Sequence, residues 1–210
     1  MTIDELLLAE SVQSGSAFLR LYRWDPPTLS IGRNQPAVST GVPVVRRPTG
    51  GQAVWHEHEV TYAVAAPIAL FGSLRNAYCE IHTRIATALR SLGADTVLAP
   101  VRRAVATSAR PASCFASAVG GEILVKGRKL VGSAQVRRGD AFLQHGSILL
   151  GGSQETVPGG TGATTLSDVL GRPVTFEETA RAVADNWGES LRPSDSPTVQ
   201  LPDVASLVPR

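Results

Sequence analysis

The spacing of apolar residues predicts one long amphipathic helix near the middle of the chain. In residues 73–93, apolar side chains recur every three or four positions, which places them on one face of a helix. The pattern begins at Ser73, and Gly93 follows it as a stop signal. Cys79 falls inside the predicted helix, where we interpret it as a small buried side chain.

Short runs rich in β-branched and aromatic residues predict strands on both sides of that helix. The predicted strands cover residues 17–24, 28–33, 42–47, 52–56, 59–65, 95–99, 121–125, 129–136 and 141–150. The pairs Lys126-Gly127 and Gly139-Asp140 predict tight turns between the last three strands. These three strands therefore form an antiparallel meander.

Further helices are predicted at both ends of the chain. Thr2 and Glu5 have the spacing of a capping box, so the chain is expected to open with a helix. The same spacing recurs at Thr175 and Glu178, and a short helix is predicted near residues 166–171. Sheet segments interrupted by a few separate helices favour the α+β class over a strictly alternating array.

The composition is that of one globular domain. The chain has 210 residues, 43% of them hydrophobic, and a net charge of +2. Neither disorder nor a broad nucleic-acid-binding surface is therefore expected. We predict one domain over residues 1–192 and a loosely packed C-terminal tail, rich in Pro and Ser, over residues 193–210.

Cysteine content and the first residues favour a cytoplasmic location. The two cysteines cannot form a disulfide framework, and the chain begins with acidic residues where a secretory signal would carry basic ones. No apolar run approaches the roughly 20 residues that a membrane-spanning helix needs. We therefore expect reduced thiols and no insertion into a membrane.

The densest group of chemically active residue types is Arg46-Arg47-Pro48-Thr49-Gly50-Gly51. Two adjacent glycines allow the backbone to approach an acyl oxygen or a phosphate, and either arginine can supply positive charge. Taken alone, these residues are more simply interpreted as a structural hairpin with surface arginines. They do not form a P-loop, because no Gly-Lys-Ser/Thr sequence follows the glycines.

A metal site is not predicted. His56 and His58 share one face if their segment is a strand, as a metal-binding pair would. Such a site normally needs three or four ligands, and only His82, His145 and a few acids remain to complete it. The spacing also differs from that of the helical zinc-protease motif.

Cys114 stands in a loop ahead of the hairpin that carries Lys129. A nearby cation lowers the pKa of a cysteine and favours the nucleophilic thiolate. On a meander, the strand that begins at Lys129 can fold back beside this loop, so a Cys–Lys dyad is geometrically possible. From the residues alone, a small hydrophobe and an activated nucleophile are equal alternatives for Cys114.

Two motifs, in this order, give the chain a resemblance to a known family. RRPTGGQAVWHEHEVTYAVA (46–65) and GRKLVGSAQVRRGDAFLQHGSILL (127–150) resemble the lipoate–protein ligase and octanoyltransferase family, the relatives of biotin–protein ligase. The resemblance extends from the opening helix through LSIGRNQ (29–35) to TTLSDVLGRPVTFEETA (164–180), and so covers most of the chain. It implies a catalytic domain with a mixed or antiparallel sheet and flanking helices, like that of the biotin and lipoate ligases.

The cysteine and the lysine together resemble the octanoyltransferases of Gram-positive type in particular. This resemblance implies an acyltransferase of lipoate biosynthesis that takes octanoyl from acyl carrier protein onto Cys114 as a thioester. The acyl group would then pass to a lysine of a lipoyl domain or of the glycine-cleavage H protein. Lys129 would lower the pKa of Cys114 and stabilise the thioester oxyanion. No cofactor would be required, because the donor is already activated.

The same motifs imply a set of substrate-binding residues. They are Arg46, Arg47, Thr49, Gly50, Gly51 and His56 from the first motif, and Gly132, Ser133, Ala134, Gln135, His145 and Gly146 from the second.

Two alternatives remain open. An ATP-dependent lipoate–protein ligase, with ATP and Mg as cofactors, would bind an acyl adenylate with the same glycines, arginine and Lys129. Cys114 distinguishes the two enzymes, because a ligase has no use for a nucleophilic thiol. The third interpretation is a non-catalytic module that binds lipoyl domains, which the presence of both Cys114 and Lys129 disfavours.

Overall fold

The computed structural model describes residues 1–100, 120–157 and 162–187, together with the backbone of residues 192–193 and 198–201. The α-helices in these ranges are α1 (Thr2–Ser14), α2 (Leu74–Ser91), α3 (Leu166–Leu170) and α4 (Phe176–Asp185). The strands are β1 (Ala17–Tyr22), β2 (Thr28–Ile31), β3 (Val44–Arg46), β4 (Val54–His56), β5 (Glu59–Pro67), β6 (Val97–Leu98), β7 (Ile123–Val125), β8 (Arg128–Arg138), β9 (Ala141–Leu149), β10 (Arg192–Pro193) and β11 (Thr198–Leu201).

The strands form two sheets. The main sheet has eight strands in the order β10-β11-β1-β5-β9-β8-β7-β6, and every neighbouring pair is antiparallel. The small sheet has the order β3-β2-β4, and its β2 and β3 are parallel. The α+β class and the mixed or antiparallel sheet predicted from the sequence are confirmed.

The two faces of the main sheet contact different elements. On one face, which we call the helix face, Tyr62 and Val64 pack in the largest apolar cluster together with residues of α2 and α4. On the opposite face, which we call the site face, Ala63 packs against α1. The small sheet also contacts the site face, where a hydrogen bond joins Thr49 to His145 of β9.

Helix α2 forms where the apolar spacing predicted it. The side chain of Ser73 accepts a hydrogen bond from the backbone N–H of Asn76, and the inner face buries Ala77 and Ile81 completely. Cys79 is only partly buried. Its interpretation as a buried side chain is wrong, because position 79 lies to one side of the stripe that Ala77 and Ile81 define.

The two predicted capping boxes have different outcomes. Thr2 is the first residue of α1, and Met1 occupies the N-cap position without a side-chain hydrogen bond, so the first box is not formed. Thr175 does cap α4, because its side chain accepts a hydrogen bond from the backbone N–H of Glu178.

Two short strands, one at the predicted domain boundary and one in the predicted tail, extend the main sheet. Strand β11 pairs with β1, and β10 pairs with β11, both antiparallel. The division of the chain at residue 192 stays a prediction. Among the described residues, no helix is long and apolar enough to cross a membrane.

Candidate active site

The turn formed by Thr49, Gly50 and Gly51, here called the glycine turn, lies between the small sheet and the site face of the main sheet. Gly51 has φ 89°, a left-handed conformation that favours glycine. A Cβ atom at Gly51 would lie 3.9 Å from the Cβ of Ala134 on β8. On its other side, a Cβ at Gly32 would fall 2.1 Å from the carbonyl oxygen of Gly51. The two motifs therefore meet at this turn, and it is closely packed.

The two predicted arginines hold the loops around the glycine turn. The buried guanidinium of Arg47 donates hydrogen bonds to the hydroxyl of Ser30 at 2.6 Å and to the carbonyl oxygen of Gln52 at 2.7 Å. Arg46 is exposed and donates to three carbonyl oxygens in residues 32–35. Arg47 thus places a positive charge directly beside the turn, whereas Arg46 fixes the neighbouring loop.

His56 connects the small sheet to the main sheet. Its Nδ1 lies 2.7 Å from Oε1 of Glu59, its Nε2 lies 2.5 Å from Oγ of Ser30, and its ring stacks on Trp24. His58 is exposed in the bend after β4. The expectation that the two histidines share a face is wrong, because the strand ends at His56. In the part of the chain that the structure describes, no three potential metal-ligating side chains come together.

His145 on β9 is buried against the glycine turn. Its Nε2 lies 2.7 Å from Oγ1 of Thr49, and its Nδ1 lies 3.5 Å from Oδ2 of Asp4. Burial lowers the pKa of His145 despite the nearby carboxylate. Burial would raise the pKa of Asp4, but its contacts with His145 and Arg20 outweigh burial and lower it. At neutral pH the imidazole is therefore neutral and the carboxylate is charged.

A bulge in β8 turns Lys129 to the site face. The pairing of β8 with β7 shifts between positions 123 and 124, which leaves Leu130 as an extra residue on β8. Leu130 and its neighbour Val131 are both buried in the helix-face cluster. The alternation of side chains is thereby shifted by one residue, so Lys129 lies on the same face as Ala134.

Lys129 pairs there with Glu122, a residue that the sequence analysis missed. Its Nζ lies 2.6 Å from Oε1 of Glu122, and the two side chains are 3% and 2% exposed. Because both charges are removed from water, each carries a large desolvation cost that the other offsets. The available signal was an acid directly before the apolar residues 123–125.

Two further buried acids complete the candidate site, and neither was predicted. Asp4 contacts His145, and Glu59 contacts His56. Asp4 lies in the segment that was interpreted as a capping box, and Glu59 stands three residues after its histidine. Acids at such positions are common in sequences, so only their tertiary contacts distinguish Asp4 and Glu59 from other acids.

Ser133 and Gln135 lie on the helix face of the main sheet. Oγ of Ser133 lies 2.6 Å from the hydroxyl of Tyr62 and 2.8 Å from Nε2 of His82. Gln135 donates to the side chain of Gln144 at 3.1 Å. Burial lowers the pKa of His82 to about 4, so this imidazole is neutral. The two predicted residues thus belong to a polar network under α2, and their role in substrate binding stays a prediction.

Gly146 leaves room for this network. A Cβ atom there would lie 2.5 Å from both the carbonyl oxygen of Gly132 and Oγ of Ser133, and 2.7 Å from Cε1 of Tyr62. The absence of a side chain at Gly146 therefore lets the ring of Tyr62 reach Ser133.

One narrow pocket collects residues of both motifs. Its lining includes Arg47, His56, Gly132, Ala134 and His145. Its volume is about 20 Å³, room for about one water molecule, so an acyl chain would require its walls to move apart. Cys114, the predicted nucleophile, lies outside the described residues.

Comparisons with known proteins agree with the resemblance seen in the two motifs. The model of the lipoyl protein ligase A/B catalytic domain matches residues 1–188. Octanoyltransferase LipM of Carboxydothermus hydrogenoformans is 42% identical over 71% of the chain, which spans 60% of that relative. Octanoyltransferase LipM of Kyrpidia tusciae is 38% identical over 91% of the chain, which spans 82% of that relative.

Solved structures share the fold. A crystal structure of lipoate-protein ligase A bound with ATP has a TM-score of 0.68 at 22% identity, covering 90% of this chain and 80% of its own. A bi-partite lipoate protein ligase from Thermoplasma acidophilum has a TM-score of 0.62 at 20% identity, covering 90% and 78%. With its glycine turn, its buried lysine and a family match over residues 1–188, the chain belongs to the lipoyl protein ligase A/B catalytic-domain family.

Proposed function

We propose that this protein is an octanoyltransferase that moves an octanoyl group from acyl carrier protein to a protein lysine without ATP. The observation that carries the proposal is the 38% identity to an octanoyltransferase over 91% of the chain. Cys114 and Lys129 support it, because a thioester mechanism needs both a thiol and a nearby positive charge. The acceptor would be a lysine of a lipoyl domain or of the glycine-cleavage H protein, and the reaction would take place in the cytoplasm.

In the first step, the thiolate of Cys114 attacks the thioester carbonyl carbon of octanoyl-acyl carrier protein. The new carbon–sulfur bond forms a tetrahedral intermediate, which then expels the phosphopantetheine thiolate of the donor. Positive charge and backbone N–H groups near the carbonyl oxygen favour this intermediate. Lys129, Arg47 and the glycine turn are the groups that we assign to this task.

In the second step, the unprotonated ε-amino group of the acceptor lysine attacks the octanoyl carbonyl on Cys114. An amide bond forms, the carbon–sulfur bond breaks, and the proton lost by the amine balances the thiolate that leaves. Because a thioester is already activated relative to an amide, neither step requires ATP. The ion pair with Glu122 keeps the ammonium of Lys129 in place through both steps.

Mass spectrometry of the intact protein tests the proposal. After incubation with octanoyl-acyl carrier protein, and without ATP, we expect an adduct of one octanoyl group that hydroxylamine removes. Addition of a lipoyl domain should then discharge the adduct and acylate the domain. Acylation that occurs only with free octanoate and ATP would instead identify a ligase, and no acylation under either condition would favour a non-catalytic module.

A further inference from the structure

The hydroxyl of Thr49 lies at the end of a buried chain of polar groups that begins in α1. The carboxylate of Asp4 lies 3.5 Å from Nδ1 of His145, an electrostatic contact without hydrogen-bond geometry, and Nε2 of His145 lies 2.7 Å from Oγ1 of Thr49. This series of polar groups joins three parts of the fold: the first helix, the central strand β9 and the glycine turn. Asp4 and Thr49 have no exposed surface, and His145 is 4% exposed.

The charges around this chain determine its protonation. Oδ1 of Asp4 accepts a hydrogen bond from Arg20 at 2.7 Å, and Oδ2 accepts one from Tyr22 at 3.0 Å, which favours the ionised carboxylate. A charged carboxylate has no proton to give, so the imidazole proton belongs on Nδ1, which faces it. Nε2 of His145 then accepts a hydrogen bond from the hydroxyl of Thr49.

Acid, imidazole and hydroxyl in this order resemble a catalytic triad, but burial excludes a nucleophilic role for the hydroxyl. Thr49 is 0% exposed and does not line the narrow pocket, so its hydroxyl is not placed to attack a substrate carbonyl there. The position of Thr49 in the polypeptide indicates a different role. The carbonyl oxygen of Thr49 accepts a hydrogen bond from the N–H of Arg33 at 2.8 Å, and Gly50 and Gly51 follow directly. A displacement of Thr49 therefore displaces the glycine turn.

A second series of buried polar groups holds the other end of residues 47–49. Oε1 of Glu59 contacts His56, His56 contacts Oγ of Ser30, and Ser30 accepts a hydrogen bond from the guanidinium of Arg47. Arg47 and Thr49 flank a single proline. Both series of polar groups thus end on residues 47–49, from different directions. Burying so many polar groups costs free energy, which indicates that the position of this segment matters.

We propose that Asp4 and His145 are positioning residues that act through Thr49 to hold the backbone N–H groups of the glycine turn in place for the acyl carbonyl. The inference rests on the proposed function for the acyl substrate. The placement of the turn itself can be tested without any substrate.

Thr49→Val removes the hydroxyl at almost constant volume, and Thr49→Ser keeps it. Thr179→Val is the matched control, because Thr179 on α4 is also 0% exposed and its hydroxyl makes no hydrogen bond with any described residue.

The first measurement is the single-turnover rate of thioester formation on the full chain, with octanoyl-acyl carrier protein as donor. A displacement of catalytic groups by about 1 Å costs up to about 100-fold in rate, so Thr49→Val should lower the rate at saturating donor by about 10- to 100-fold. The donor concentration for half-maximal rate should change little, Thr49→Ser should recover most of the rate, and Thr179→Val should match the parent. A Thr49→Val protein with the parent rate would overturn the proposal.

The second measurement is amide hydrogen exchange by NMR in the absence of substrate. The amide of Arg33, which is bonded to Thr49, should exchange about tenfold faster in Thr49→Val and in Asp4→Asn, because the turn opens more often. The amide of Arg47, which donates to Ile31 at 2.9 Å, serves as the reference within the same protein. Unchanged exchange at Arg33 would contradict the positioning role even if the parent protein proved to have a different acyl substrate.

Discussion

Lys129 and Glu122 form a buried ion pair on the site face of the main sheet, with Nζ 2.6 Å from Oε1. The bulge at Leu130 brings the lysine to this face, where the glycine turn and His145 also lie. The lysine that was predicted to assist a thiol therefore has a carboxylate beside it. This pair fixes the position of the ammonium, so we expect both residues to matter for stability.

The first prediction concerns the stability of this pair. Removing one member of a buried ion pair typically costs about 3–5 kcal/mol, because the remaining charge stays buried. We expect Lys129→Met and Glu122→Gln each to lower the free energy of unfolding by about 3 kcal/mol, and the double variant to lose less than the sum. Urea unfolding of the parent and the three variants measures this coupling. Strictly additive losses would show that the two side chains do not stabilise each other.

The second prediction separates the two cysteines. Cys114→Ala should abolish the octanoyl adduct and lower transfer by more than about 100-fold, because the acyl group loses its covalent carrier. Cys79→Ala is the control, since Cys79 lies partly buried on α2, on the helix side of the main sheet. The amount of octanoyl adduct on Cys79→Ala, measured by intact mass, should equal the amount on the parent protein. Retention of ATP-independent transfer by Cys114→Ala would rule out the thioester mechanism.

The third prediction tests whether an acyl group approaches the glycine turn. A Cβ atom at Gly50 would meet no described atom within 4 Å, and Gly50 does not have a positive φ. Gly50→Ala should therefore change the free energy of unfolding by less than about 0.5 kcal/mol while slowing acylation by about tenfold. Gly41→Ala makes the same change at an exposed glycine that is equally free of contacts, and it should affect neither quantity. Parent-like acylation of Gly50→Ala would mean that the substrate does not pass Gly50.

The fourth prediction concerns the pH dependence of stability. Burial lowers the pKa of His82 from 6.5 to about 4, so between these values the unfolded chain binds more protons than the folded one. The stability linked to His82 is complete above pH 6.5 and is lost as the pH falls toward 4, by up to about 3 kcal/mol. Urea unfolding should therefore show a steeper loss on acidification for the parent than for His82→Gln. His145 and Asp4 titrate in both proteins, so the difference between the curves isolates His82. Parallel curves would show that His82 is not buried as a neutral group.

The sequence by itself determined the elements that depend on local interactions. The apolar period of residues 73–93 predicted α2, because a helix is stabilised by contacts three and four residues apart. Lys126 and Gly127 predicted a tight turn, and both adopt the positive φ that such a turn needs. The two family motifs were also readable without a structure, because each is a continuous run of residues.

The tertiary structure decided which of those residues meet. Period-two alternation would place Lys129 on the same side as Ser133, whereas the bulge moves it to the opposite side, next to Glu122. Asp4 and His145 are far apart in sequence, and nothing local links them. Their contact exists because α1 packs across the same face on which β9 presents His145. Local sequence fixes φ and ψ preferences over a few residues, but register shifts and contacts between distant elements depend on how the entire sheet buries its apolar side chains.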